Sequence, residues 1–91
     1  MEPLTTTPPA GALLIDLRPL AQYRGAHHPA ALHLDFANAL AAWPSFDRAR
    51  RYVLSCEYGL LSAQLAGHMR RAGFSVHHFR GGQRTLMRSI G

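Results

Sequence analysis

Short apolar runs alternate with helical stretches along this chain, and that alternation is the strongest constraint on its fold. Residues 12–17 (Ala-Leu-Leu-Ile-Asp-Leu) form a continuous apolar run with β-branched content, as expected of a strand buried on both faces. Arg18-Pro19 ends it, because proline cannot donate to a ladder. Residues 31–36 alternate apolar and polar and predict a second strand. Arg51-Tyr52-Val53-Leu54-Ser55 predicts a third, and residues 75–79 a fourth. Between them lie helical segments: one turn over 20–24, two short pieces over 38–43 and 45–51 split by Pro44, and an amphipathic helix over 63–72 stopped by Gly73. Ser45 and Asp47 are the expected caps of the second piece. Gly81-Gly82 makes a second glycine loop, and a closing helix is expected over 83–89. Strands alternating with helices imply an α/β fold, a mainly parallel sheet of 4–5 strands with helices on its faces. Residues 1–11 are polar and proline-rich and read as an extended segment; residues 12–91 read as one domain.

Cys56 is the single cysteine and follows the third strand directly. Behind it, Glu57-Tyr58-Gly59-Leu60-Leu61-Ser62 forms a short loop that leads into the amphipathic helix. Strand, tight loop and helix with a thiol on the first loop residue make an anion cradle with a nucleophile at its base. Backbone N–H groups at a helix start point at whatever the sulfur carries and favour its anionic form. In parallel sheets ligands bind beyond the carboxyl ends of the strands, so Cys56, Arg18 and Gly81-Gly82, each after a strand, are expected to share one rim.

Composition narrows the classes. The chain has 91 residues and 47% hydrophobic content, as a globular domain has. No run approaches the roughly 20 apolar residues of a membrane span, and the first residues lack the pattern of a signal peptide. A lone cysteine forms no internal disulfide, which fits a cytoplasmic protein. The charge of +5 comes from ten arginines and no lysine. It reads first as the codon bias of a GC-rich genome, with RNA binding as the rival reading, since no RNA-binding motif accompanies it. Six histidines invite a metal, but His27-His28 and His77-His78 are adjacent pairs whose members point apart on a strand, and no second thiol is present; neither a metal nor a cofactor is expected.

Four segments, in order, resemble the rhodanese (sulfurtransferase) family. Leu14-Ile15-Asp16-Leu17-Arg18 resembles its strand ending in Asp-x-Arg. Tyr23 with His27-His28-Pro29-Ala30-Ala31 resembles its His-Ile-Pro-Gly-Ala loop. Cys56 to Ala63 resembles its active-site loop. Ala72-Gly73-Phe74-Ser75-Val76 with Phe79-Arg80-Gly81-Gly82 resembles its closing segment. Within the family, Cys-Glu-x-Gly-x-x-Ser is most similar to the rhodanese domain ending the tRNA 4-thiouridine sulfurtransferase, which also serves thiamine thiazole synthesis.

The resemblance implies a three-layer rhodanese-like fold and sulfane-sulfur transfer through a persulfide on Cys56. It implies a sulfur-binding loop of Glu57, Tyr58, Gly59, Leu60, Leu61 and Ser62, with Gly59 allowing the turn and Ser62 capping the helix or bonding to the persulfide. Asp16 and Arg18 are its supporting residues, Arg18 as the nearest cation or as a structural partner of Asp16. The implied donor is a cysteine desulfurase, another persulfide protein or thiosulfate, and the implied acceptor a protein or a tRNA-modifying enzyme. Members that use thiosulfate often carry arginine or lysine in the loop. Glu57, Tyr58, Leu60 and Leu61 stand there instead, which favours a protein donor. Two rivals remain. Cysteine phosphatases place arginine where Ser62 stands, to grip phosphoryl oxygens. Rhodanese-like domains also serve as non-catalytic interaction modules.

Overall fold

The computed structural model describes residues 11–79; the expected extended N-terminus, the Gly81-Gly82 loop and the closing helix over 83–89 lie outside them. Four strands, β1 (Leu13–Asp16), β2 (Ala31–His33), β3 (Arg51–Ser55) and β4 (Ser75–His78), form one all-parallel sheet in the order β2-β1-β3-β4. They alternate with α1 (Leu20–Gly25), α2 (Phe36–Ala42) and α3 (Leu60–Arg71), and a 3₁₀ turn covers Trp43–Ser45.

Side-chain alternation divides the core between the two faces of the sheet. Ile15, Leu17, Tyr52, Leu54, Cys56 and Val76 pack with Leu65, Ala66 and Met69 of α3, Ala39 of α2, and Phe74. Leu14, Val53, Ala31 and Phe79 pack on the opposite face, with Tyr23 of α1 against them. The result is three layers, with α2 and α3 on one side and α1 on the other. Strand order reverses between β1 and β3: one connection leaves β1 for β2, and the next crosses back over β1 to β3. The crevice at the carboxyl ends of β1 and β3 is therefore the switch point at which open α/β sheets hold ligands.

Three local expectations need correction. The second strand stops at His33 rather than residue 36: the Leu34 N–H makes one more bond to β1, at the Asp16 carbonyl, and the chain enters α2 at Phe36, whose N–H reaches the Leu17 carbonyl. The Asp35 side chain then accepts the Asn38 N–H and caps α2. Residues 46–50 form turns rather than a helix: the Asp47 side chain accepts the Ala49 N–H at 2.9 Å, and Ser45 caps nothing there, donating instead to the Ala42 carbonyl. Tertiary contacts hold that segment. Phe46 stacks on Tyr52 at 5.3 Å, and the Arg48 guanidinium lies 4.5 Å over the Phe74 ring while donating to the Ala72 carbonyl. Finally, α3 begins at Leu60, three residues before the expected start at 63. It ends as expected near Gly73, whose φ of +92° lets Phe74 N–H return to the Met69 carbonyl.

Candidate active site

β3 delivers Cys56 to the switch point, and the next three residues, Glu57 to Gly59, turn the chain into α3. Gly59 is the residue that makes the turn. Its φ is +86°, a left-handed conformation that L side chains rarely adopt, and it stands at the N-cap of α3. The cap expected at Ser62 is therefore at Gly59, and Ser62 sits in the first turn of the helix. There its N–H has no intrahelical acceptor and donates to Cys56 Sγ at 3.3 Å. The Cys56 thiol donates to Ser62 Oγ at 3.4 Å, and Ser62 Oγ donates to the Gly59 carbonyl at 3.3 Å. Among the described residues, Ser62 supplies the single backbone N–H on the sulfur; those of Tyr58, Gly59, Leu60 and Leu61 make no hydrogen bond to it. Cys56 is buried at 3% exposure, while Tyr58 and Leu60 stand 76% and 75% exposed above it.

Arg18 reaches the same place from β1. Leu17 N–H bonds to the Ser55 carbonyl at 2.8 Å, extending the β1–β3 pairing to the residues just before Arg18 and Cys56. Asp16 is fully buried and Arg18 6% exposed. The Arg18 guanidinium grips Asp16 through Nε at 3.1 and 3.2 Å and Nη2 at 2.9 Å, and Nη2 also donates to the Ala26 carbonyl at 2.6 Å. The remaining nitrogen, Nη1, lies 3.6 Å from the Glu57 carboxylate. Burial works against the charged guanidinium, but the hydrogen bond and charge of Asp16, with Glu57 adding to them, outweigh it and hold the Arg18 proton more firmly than usual. Arg18 pairs with Asp16, and its Nη1 faces the Glu57 carboxylate of the cysteine loop.

The structure brings Asp16, Arg18, Cys56, Glu57 and Ser62 together. Sequence reasoning missed three features. The Glu57–Arg18 pair joins residues far apart in sequence; the Asp-x-Arg pair and an acid beside the thiol were its available signals. His33 Nε2 donates to the Arg18 carbonyl at 2.8 Å and helps hold that turn. An apolar groove of about 360 Å³ adjoins the loop, lined by Leu17, Pro19, Asp35, Phe36, Ala37 and Leu61; no sequence signal marks it. Among the described residues, no group of three or more His, Cys, Asp or Glu side chains could hold a metal ion. No helix there is long and apolar enough to cross a membrane.

Comparison with known proteins agrees with this fold. Residues 3–85 match the model of the rhodanese-like domain. A tRNA sulfurtransferase of Thermoplasma acidophilum is 34% identical over 70 residues, which cover 77% of this chain and 14% of that protein. The chain spans about one seventh of the length of the curated relatives it matches. Among solved structures, a rhodanese homologue from Thermus thermophilus is 30% identical, with a TM-score of 0.64 and coverage of 84% of both chains. A rhodanese-related protein from Thermoplasma volcanium shares the fold at a TM-score of 0.77 and 15% identity, over 86% of this chain and 78% of that one.

Proposed function

The chain belongs to the rhodanese-like domain family, and within it we propose a sulfurtransferase that carries sulfane sulfur as a persulfide on Cys56. The observation that carries the proposal is the set of contacts on Sγ. Sγ accepts a helix-start N–H and has a hydroxyl beside it, so the nucleophile sits where α3 begins and backbone donors face it.

In the proposed reaction the Cys56 thiolate attacks the outer sulfur of a donor persulfide. A new S–S bond forms at Cys56, the donor's own S–S bond breaks, and its electron pair leaves with the donor thiolate. With thiosulfate as donor, sulfite is the leaving group. An acceptor nucleophile then takes the outer sulfur, and Cys56 leaves as thiolate, so the cycle needs no net oxidant or reductant. Ser62 Oγ–H, directed at the Gly59 carbonyl, has only to rotate to donate to the thiolate. The N–H groups of Leu60 and Leu61, at the start of α3 and without intrahelical acceptors, remain for the sulfur that Cys56 gains. Arg18 contributes positive charge at the loop, tempered by Glu57.

The tRNA sulfurtransferase relatives support tRNA thiolation as the destination of the sulfur, with thiamine thiazole synthesis as the other outlet. A cytoplasmic site of action goes with this proposal, because the thiol must stay reduced between turnovers. The burial of Cys56 favours a second reading, a non-catalytic interaction module whose cysteine only packs. One experiment separates the two: intact-mass spectrometry after incubation with a cysteine desulfurase plus cysteine, and separately with thiosulfate. The proposal expects one added sulfur, absent in Cys56→Ser; no added sulfur from either donor refutes it.

A further inference from the structure

Resting on the reading of Cys56 as a sulfur carrier, we infer that the face around it is a docking surface for an apolar, cationic segment of the protein that delivers the sulfur, with Glu57 selecting the charge. Three features converge there. The cysteine loop presents Tyr58, Leu60 and Leu61 to solvent at 76%, 75% and 42% exposure. Leu61 also walls the groove of about 360 Å³, whose other walls are Leu17, Pro19, Phe36 and Ala37. Beyond it, Ala37, Leu40 and Ala41 continue an exposed apolar face along α2. Contiguous apolar surface of this kind marks interaction sites.

Charge decides the occupant. Although the chain carries a net +5, this face holds Asp35 in the groove and Glu57 on the rim. Among the described residues the cation beside them is Arg18, whose Nε and Nη2 are engaged by Asp16 and Ala26 and whose Nη1 lies 3.6 Å from Glu57, so its charge is already shared by two carboxylates. Of the five exposed arginines among the described residues, Arg24 stands in the last turn of α1 and the other four lie elsewhere. Arg48, Arg50 and Arg51 precede or open β3, and Arg71 closes α3, at the amino ends of the strands and away from Cys56. An anionic small molecule or an RNA phosphate approaching Cys56 meets carboxylates, whereas a cationic protein segment meets its complement.

The test uses fluorescein-labelled decapeptides with serine in place of the persulfide cysteine, flanked by Lys and Leu, by Glu and Leu, or by Lys and Ser. Binding to the full chain is read by fluorescence anisotropy. The Lys/Leu peptide is expected to bind about three- to fivefold more tightly than the Glu/Leu peptide, a preference that added salt weakens. Glu57→Lys should reverse that order, and the Lys/Ser peptide should bind more weakly than the Lys/Leu one. The double variant Leu60→Ser/Leu61→Ser, altering only exposed side chains, should weaken both Leu-flanked peptides. Equal affinity for the two charges, or a preference that survives Glu57→Lys, overturns the inference. So does displacement of the peptide by tRNA, or self-association that Leu60→Ser/Leu61→Ser abolishes. Sulfur uptake is scored separately: charge discrimination without uptake removes the carrier reading and leaves the surface, and uptake without discrimination removes the surface alone.

Discussion

Arg18→Ala tests the electrostatics of the site most severely. The Asp16 carboxylate is fully buried, and besides the guanidinium it has one further donor, the Arg18 main-chain N–H at 3.0 Å. Truncating Arg18 leaves that carboxylate buried with a single backbone donor. Removing one partner of a buried ion pair costs about 3–5 kcal/mol. The surviving N–H places this case at the lower end, about 3 kcal/mol. In a domain of this size each kcal/mol moves the midpoint by about 4–8 °C, so the thermal midpoint should fall by about 12 °C or more. Urea unfolding followed by circular dichroism measures the free energy directly. The double variant Asp16→Ala/Arg18→Ala removes both charges and should cost about 2 kcal/mol less than the sum of the single variants. An Arg18→Ala cost below about 1 kcal/mol, or additive single variants, would refute the claim that burial makes this pair strong.

Gly59→Ala forces a side chain into a left-handed turn and should cost about 1–2 kcal/mol of stability, with slower sulfur uptake, measured by urea titration and a persulfide assay. Ser62→Ala keeps the backbone N–H on the sulfur but loses the hydroxyl; uptake should slow about fivefold with the thermal midpoint little changed, and an unchanged rate would remove the hydroxyl from the mechanism. Cys56→Ser should abolish uptake while leaving the circular dichroism spectrum intact, since Ser62 still offers polar partners at that point. Burial, reinforced by the charge of Asp47, raises the Tyr52 pKa above its ordinary value of about 10. The folded state therefore holds that proton longer than the unfolded chain. Its stability contribution is complete below pH of about 10 and is lost as pH rises through the raised value. Tyr52→Phe should flatten this alkaline decline in urea midpoints measured from pH 8 to 11, and an unchanged slope would exclude Tyr52 as its source.

Local chemistry made much of this protein readable in advance. The apolar runs around Ile15, Val53 and Val76 identify buried strands because a sheet covered on both faces needs them, and their alternation with helical segments dictates parallel pairing. The turn at Gly59 and the helix stop at Gly73 are equally local, since both need positive φ. So is the placement of Cys56 at a helix start, which follows from three consecutive segments. Segments whose conformation is set by distant contacts were not readable. Residues 46–50 carry helical spacing, yet Phe46 on Tyr52 and Arg48 on Phe74 hold them as turns. The second strand ends early because the chain enters α2 at Phe36, capped by Asp35 and tied to the end of β1 by the Phe36 N–H on the Leu17 carbonyl. The charge arrangement of the site is of the same kind. A sequence shows an arginine at 18 and a glutamate at 57, but only the β2-β1-β3-β4 order sets β1 beside β3 and brings Arg18 Nη1 to Glu57. The thiol's location was a matter of local sequence; what surrounds it, a guanidinium held between Asp16 and Glu57 and an apolar groove, was decided by packing between elements that the chain keeps far apart.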